Sequence, residues 1–236
     1  MCKTYADTVR LLLTVAPEVF ANDIFAMKDG TAINLFLRDM PRLSVDIDVV
    51  YLPREKSRDE ALRDVNQQLA AISERIFKLG LHARLIPARN LGDTKLIVES
   101  ETSQVKIEVN VVFRGSVLPP ERRPLSASTS DRFSVEFDLP VLAPDELYGS
   151  KLVAALDRQH PRDLFDVWQL YESGGITEGM IGLARAEPDW SLLMCRHAQK
   201  LPALRWKLSN LETFRKRRPE DFEAQARALE SGLGQV

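Results

Sequence analysis

Residues 44–51, Ser-Val-Asp-Ile-Asp-Val-Val-Tyr, alternate with the period of a β-strand. A strand sends residues i and i+2 to the same face, so Val45, Ile47, Val49 and Tyr51 share one side while Asp46 and Asp48 point together from the other. Any fold that accepts this segment needs an apolar layer behind it and room in front for two adjacent carboxylates. Paired carboxylates repel, and a cation between them removes the repulsion; hard oxygen donors of this kind suit Mg²⁺. Upstream lies Gly30-Thr31, a step that opens a short helix. Backbone N–H groups at a helix start, with a hydroxyl beside them, form an anion site. Mg²⁺ between aspartates near an anion site is the layout of phosphoryl or nucleotidyl transfer.

The chain has 236 residues, 44% apolar and 28% charged, enough for one large domain or two small ones around a true core. A net charge of −2 excludes a surface coated in positive charge, so any nucleic-acid contact is local. The start, Met1-Cys2-Lys3-Thr4-Tyr5, carries no signal-peptide apolar region, and no apolar run approaches membrane-spanning length. Cys2 and Cys195 lack C-x-x-C spacing, and His82, His160 and His197 lack metal-ligand spacing. Reduced thiols and a cytoplasmic protein with no membrane partner are the expectation.

The apolar pattern predicts a first helix from about Thr4 that ends at Pro17, a buried strand at Ile24–Met27, and a short helix from Gly30-Thr31 to Pro41. Ser57-Arg58-Asp59-Glu60 has capping-box spacing. Leu62, Val65, Leu69, Ile72, Ile76 and Leu79 then form a helical stripe that Gly80 stops, and this stripe should cover one face of the sheet. Strands follow at His82–Pro87, Thr94–Glu99 and Val105–Phe113, with Ser134–Leu139 as a further one. Leu118–Ser130, rich in Pro and Ser, reads as loop. From Ala143 the pattern turns helical, with one helix from Pro144 to about Arg158 and another from Pro161 to about Tyr171, broken by Gly174-Gly175. The expected organisation is α+β, with a core over residues 1–140 and a helical domain over 141–236.

Several charged residues have both a chemical and a structural reading. Glu108, in the alternating run Val105–Val111, completes a three-carboxylate site for two metals if its strand lies beside that of Asp46 and Asp48. Otherwise it pairs with a cross-strand lysine or arginine. Lys151 and Arg158 share a helical stripe with Ala154 and Ala155, so both cations can reach over one site, or they face solvent. Asp163 orients Lys151, serves as an acid–base group, or complements the dipole of its own helix. Leu164, Phe165 and Trp168 are most simply core. The run Arg215-Lys216-Arg217-Arg218 offers phosphate contacts to an RNA backbone, or a contact to Glu220-Asp221.

Taken in order, Gly30-Thr31-Ala32, Arg42-x-Ser44-x-Asp46-x-Asp48, Asp145 followed by Lys151-x-x-Ala154, Arg158, and Arg162-Asp163-Leu164-Phe165-Asp166 resemble the AbiEii/MenT nucleotidyltransferase toxin family. The resemblance spans roughly residues 24–170. It implies a DNA-polymerase-β-like nucleotidyltransferase core followed by a helical part. It further implies a toxin of a type IV toxin–antitoxin or abortive-infection pair, with a cognate antitoxin as partner. Family members are similar in moving a nucleoside monophosphate from an NTP to an acceptor, a tRNA 3′ end in some. On that pattern Gly30, Thr31 and Ser44 cradle the triphosphate, Asp46 and Asp48 hold Mg²⁺, Lys151 contacts phosphate and Asp163 is the later catalytic carboxylate. Asp29 stands where the family has the first of two glycines, and Glu108 stands where members often have Asp. The expected reaction is attack by a ribose hydroxyl on the NTP α-phosphate with release of pyrophosphate. A small-molecule acceptor, as in aminoglycoside-modifying enzymes, and a non-enzymatic binding module are the two rival readings.

Overall fold

The computed structural model describes residues 3–86, 94–110, 114–158 and 160–199, together with Lys216 and Glu220. The chain forms two compact units, one built from Cys2–Leu147 and one from Tyr148 onward.

The first unit is a mixed α+β structure around one seven-stranded sheet. In chain order it comprises α1 (Lys3–Val19), β1 (Phe25–Lys28), α2 (Asp29–Ala32), a π-helical turn (Ile33–Leu37), β2 (Ile47–Tyr51), α3 (Arg58–Lys78), β3 (His82–Ile86), β4 (Thr94–Glu99), β5 (Gln104–Asn110), β6 (Glu121–Pro124), α4 (Ala127–Phe133) and β7 (Asp138–Val141). The sheet order is β3-β4-β5-β2-β1-β7-β6. β2 runs antiparallel to β1 and parallel to β5, placing the acidic segment at the centre of the sheet. Ile47, Val49 and Tyr51 of β2 and Val105, Ile107 and Val109 of β5 are fully or almost fully buried, as their alternation requires.

α3 begins as its sequence dictates. Ser57 accepts the Glu60 N–H, and the Glu60 carboxylate accepts the Ser57 N–H, the reciprocal capping box. Ala61, Val65, Leu69, Ile72 and Ile76 are wholly buried in the core shared with α1 and the sheet. Gly80 ends the helix in the left-handed region, at φ +77°. Leu79, expected on the apolar stripe, is exposed instead, because it lies at the C-cap where the chain leaves the helix. Pro17 does not end α1, which continues to Val19 with the proline in its last turn. A proline there forfeits one backbone hydrogen bond at a helix end rather than several in its middle.

The stretch expected to be loop, Leu118–Ser130, holds β6 and the start of α4. β6 reads Glu-Arg-Arg-Pro and carries no alternating apolar signal. The strand expected at Ser134–Leu139 lies two to four residues later, at Asp138–Val141. Ser134 takes a left-handed C-cap conformation after α4, and Val135 and Phe137 pack on the core from irregular backbone.

The second unit holds most of α5 (Pro144–Arg158), then α6 (Pro161–Ser173), α7 (Glu178–Arg185) and a helical run over 190–199. Both α5 and α6 start where proline and first-turn acids place them. His160 Nδ1 accepts the Arg162 N–H at the head of α6. Leu164 and Trp168, expected as core, are 43% and 53% exposed. The face that α6 buries carries Asp163, Asp166 and Leu170. The aspartates take the inward face because Lys151 awaits them there. Among the described residues no helix is long and apolar enough to cross a membrane.

Candidate active site

The centre of the first unit's sheet gathers charge. Register sets Asp48 between Lys28 of β1 and Glu108 of β5. Asp46 precedes β2 by one residue and shares the face of Asp48, with Ile47 buried between them. The strand adjacency required to bring Glu108 to the two aspartates is therefore present.

Glu108 nevertheless turns to cations. Its two carboxylate oxygens take Lys95 Nζ at 2.7 Å and Lys106 Nζ at 2.6 Å, and Lys106 also lies 3.7 Å from Asp46. Burial works against ionisation of Glu108, but the Lys106 and Lys95 hydrogen bonds prevail and hold it below the usual glutamate range. Asp48 has the opposite fate. Burial first, then the negative charges of Asp29, Asp46 and Glu108, push its carboxyl up to about 7, against an opposing pull from Lys28. Among the described residues no three of His, Cys, Asp and Glu converge to hold a metal ion. The Asp46/Asp48 pair by itself fits a divalent cation. It is a pair of hard oxygen donors on one face, and a 2+ charge offsets both the burial and the neighbouring negative charges that raise Asp48.

The Gly30-Thr31 step lies at the end of β1. The helix starts one residue earlier than the sequence indicated, at Asp29. Asp29 sits at φ +62°, a left-handed conformation that glycine adopts at no steric cost and that aspartate tolerates better than most residues. A glycine at this position is what the backbone favours. Asp29 also faces Lys28, with Oδ2 3.4 Å from Nζ. Gly30 is required by its surroundings: a Cβ there would lie 2.3 Å from Arg42 Nη2 and 3.1 Å from Ser44 Oγ. Thr31 is wholly buried, and its hydroxyl lies 3.0 Å from that of Ser44. Gly30, Thr31, Arg42 and Ser44 thus lie together.

Arg42 and Ser44 belong to an irregular segment pinned from two sides. Asn34 of the π-helical turn, 1% exposed, accepts the Arg42 N–H with Oδ1 at 3.4 Å. The Tyr5 hydroxyl of α1 accepts the Ser44 N–H at 3.4 Å. Sequence reading passed over both anchors, because neither Tyr5 nor Asn34 belongs to a spaced motif.

In the second unit Lys151 is 4% exposed, with Nζ 3.2 Å from Asp163 Oδ1 and 3.7 Å from Asp166 Oδ2. Arg158, itself exposed, places Nη2 2.9 Å from Asp163 Oδ2. Lys151 and Arg158 therefore converge on one group, Asp163. Asp166, the last residue of the Arg162–Asp166 motif, carries no site role in the sequence reading yet joins this cluster. Its i, i+3 spacing from Asp163 puts both on one helix face. Of the basic run, Arg215, Arg217 and Arg218 lie outside the described residues; Lys216 is exposed.

Comparison with known proteins bears on this geometry. Curated proteins yield no match. Among solved structures, MenT4, a nucleotidyltransferase toxin from Mycobacterium tuberculosis H37Rv, aligns with TM-score 0.56 and 18% identity over 77% of this chain and 64% of its own. The chain therefore spans less than two thirds of MenT4, and at this identity the likeness establishes the fold alone: the mixed α+β architecture is similar to that of MenT4. The antibiotic-resistance factor ANT(2'')-Ia aligns with TM-score 0.46 and 16% identity over 84% of this chain and 99% of its own, too distant to carry weight. The family model described as nucleotidyl transferase AbiEii toxin of the type IV toxin–antitoxin system matches residues 10–235. The chain belongs to the AbiEii nucleotidyltransferase toxin family.

Proposed function

We propose that this protein is a Mg²⁺-dependent nucleotidyltransferase that moves a nucleoside monophosphate from an NTP to an RNA acceptor, the 3′ end of a tRNA. It acts in the cytoplasm as the toxin of a type IV toxin–antitoxin pair, under the restraint of a cognate antitoxin. The observation that carries the reading is the placement of the Asp46/Asp48 pair on the same strand-and-loop segment as Ser44, whose hydroxyl meets Thr31 beside Gly30.

In this reading the backbone N–H groups at Gly30-Thr31 face the triphosphate, and the Ser44 hydroxyl, paired with the buried Thr31 hydroxyl, donates to its oxygens. Asp46 and Asp48 would hold Mg²⁺, and Glu108, the third ligand the sequence suggests, would join them only in place of its contacts to Lys95 and Lys106. The metal supplies charge stabilisation at the reacting phosphate when bound. The acceptor's ribose hydroxyl oxygen forms a bond to the α-phosphorus, and the bond from that phosphorus to the bridging oxygen of the β-phosphate breaks. Pyrophosphate leaves with the electron pair, and the hydroxyl proton passes to solvent or a carboxylate. Lys151, Arg158 and Asp163 enter on the family pattern, as phosphate contacts and catalytic carboxylate.

The test is incubation of purified protein with Mg²⁺, total RNA and each of the four NTPs labelled at the α-phosphate. Label in an RNA band with one NTP supports the reading. Absence of label in RNA with all four removes it.

A further inference from the structure

Four carboxylates share this site: the charges of Asp29, Asp46 and Glu108 all act on Asp48, and strand register sets Glu108 beside it. Lys28 lies against Asp29, and Lys95 and Lys106 lie against Glu108, away from the Gly30-Thr31 step. A polyphosphate entering such a field needs a fixed positive charge at the anion cradle itself.

We propose that the Arg42 guanidinium, packed over Gly30 beside the Thr31–Ser44 hydroxyl pair, is the cation that binds the NTP's β- and γ-phosphates. This rests on the nucleotidyltransferase reading and adds to it a binding residue.

Three observations converge on Arg42. Its Nη2 occupies the space that a side chain at position 30 would need, so the glycine admits the guanidinium to the backbone of the cradle. Its other terminal nitrogen, Nη1, donates to the Leu43 carbonyl at 2.9 Å, which fixes the plane of the fork. The backbone on either side is anchored, through Asn34 at Arg42 and Tyr5 at Ser44. A guanidinium held in place before the ligand arrives binds more tightly than one ordered by it. Arginine also keeps its charge at every working pH and matches phosphate oxygens in a two-pronged geometry.

The test is calorimetric titration of the full chain with each of the four NTPs, the matching NMPs and inorganic tripolyphosphate, all with Mg²⁺. The proteins are wild type, Arg42→Gln, Arg42→Lys, Gly30→Ala and the Gly30→Ala/Arg42→Gln double variant, each first checked for an unchanged circular dichroism spectrum. Arg42→Gln should weaken NTP and tripolyphosphate binding about tenfold to a hundredfold while NMP binding changes little. Arg42→Lys should recover part of the loss. Gly30→Ala puts a Cβ where Arg42 Nη2 sits, so it should resemble Arg42→Gln and add little on top of it. Unchanged NTP affinity in Arg42→Gln overturns the proposal, as does an equal loss for NTP and NMP. A wild type that binds no NTP removes the nucleotidyltransferase reading and this one with it. A wild type that binds NTP alongside an indifferent Arg42→Gln removes only this one.

Discussion

Asp48 and Glu108 face each other across the parallel β2–β5 pairing, yet they carry opposite electrostatic fates. Glu108 holds two lysines and is kept readily ionised, whereas Asp48 is pushed towards neutrality by burial and by the carboxylates around it. The strand register brings both to one face; the lysines of β4 and β5 then decide which of them is satisfied within the chain. That division leaves Asp48, with Asp46, as the group that gains most from an added cation.

This predicts a pH dependence of stability with a definite sign. The folded-state pKa of Asp48 lies at about 7, above its ordinary 3.8, so its contribution is fully present below about pH 4 and is lost as pH rises through 7. The groups that face it are Lys28, Asp29, Asp46 and Glu108. In chelator, thermal unfolding from pH 5 to 8 should show wild type losing stability relative to Asp48→Asn. The gap should grow to at most about 4 kcal/mol, less whatever solvent screening removes. Equal slopes for the two proteins would contradict the electrostatic account. Mg²⁺ should narrow the gap in wild type, and more at pH 8 than at pH 5.

Ser44→Ala should act twice. It takes from the wholly buried Thr31 hydroxyl its partner at 3.0 Å, at a cost of about 1–2 kcal/mol in urea denaturation. It should also raise the KM for NTP. A variant with unchanged stability and unchanged KM would place the hydroxyl pair outside both the fold and the cradle.

The Lys151 cluster should be costly to break and cheap to replace. Lys151→Met leaves Asp163 and Asp166 buried without this charge and should cost about 3–5 kcal/mol. Adding Asp163→Asn and Asp166→Asn to Lys151→Met should restore much of that stability, measured by urea denaturation. A single-variant cost under about 1 kcal/mol, the range of an exposed pair, would contradict the burial seen here.

Loss of the capping box should be felt locally. Ser57→Ala removes the acceptor for the Glu60 N–H and should destabilise the first unit by about 1 kcal/mol. Hydrogen exchange should then rise in the first turn of α3 before it rises at Leu69 or Ile72. Uniform change along the helix would contradict a local cap.

What the sequence made legible was what is encoded by spacing. The Ser57–Glu60 box, the Gly80 stop and the proline-led starts of α5 and α6 depend on neighbours within a few residues, and they stand where their spacing put them. Alternation likewise put Asp46 and Asp48 on one face and allowed Glu108 to join it. Less legible was whatever tertiary packing decides. The β6 strand of Glu-Arg-Arg-Pro exists because β7 offers it a partner, not because of its own pattern. The inward turn of α6 follows from Lys151, so Leu164 and Trp168 lie outward although hydrophobicity alone would bury them. The placement of Arg42 over Gly30 could not be read from either residue, since it depends on anchors supplied by Tyr5 and Asn34.

The central claim is that Asp48 serves nucleotidyl transfer rather than the fold. The most direct measurement compares wild type with Asp48→Ala, both shown folded by circular dichroism, using tRNA, Mg²⁺ and an NTP labelled at either the α- or the γ-phosphate. Wild type should place α-label in the tRNA and release γ-label as pyrophosphate, and Asp48→Ala should do neither. Undiminished labelling of tRNA by Asp48→Ala would contradict the account.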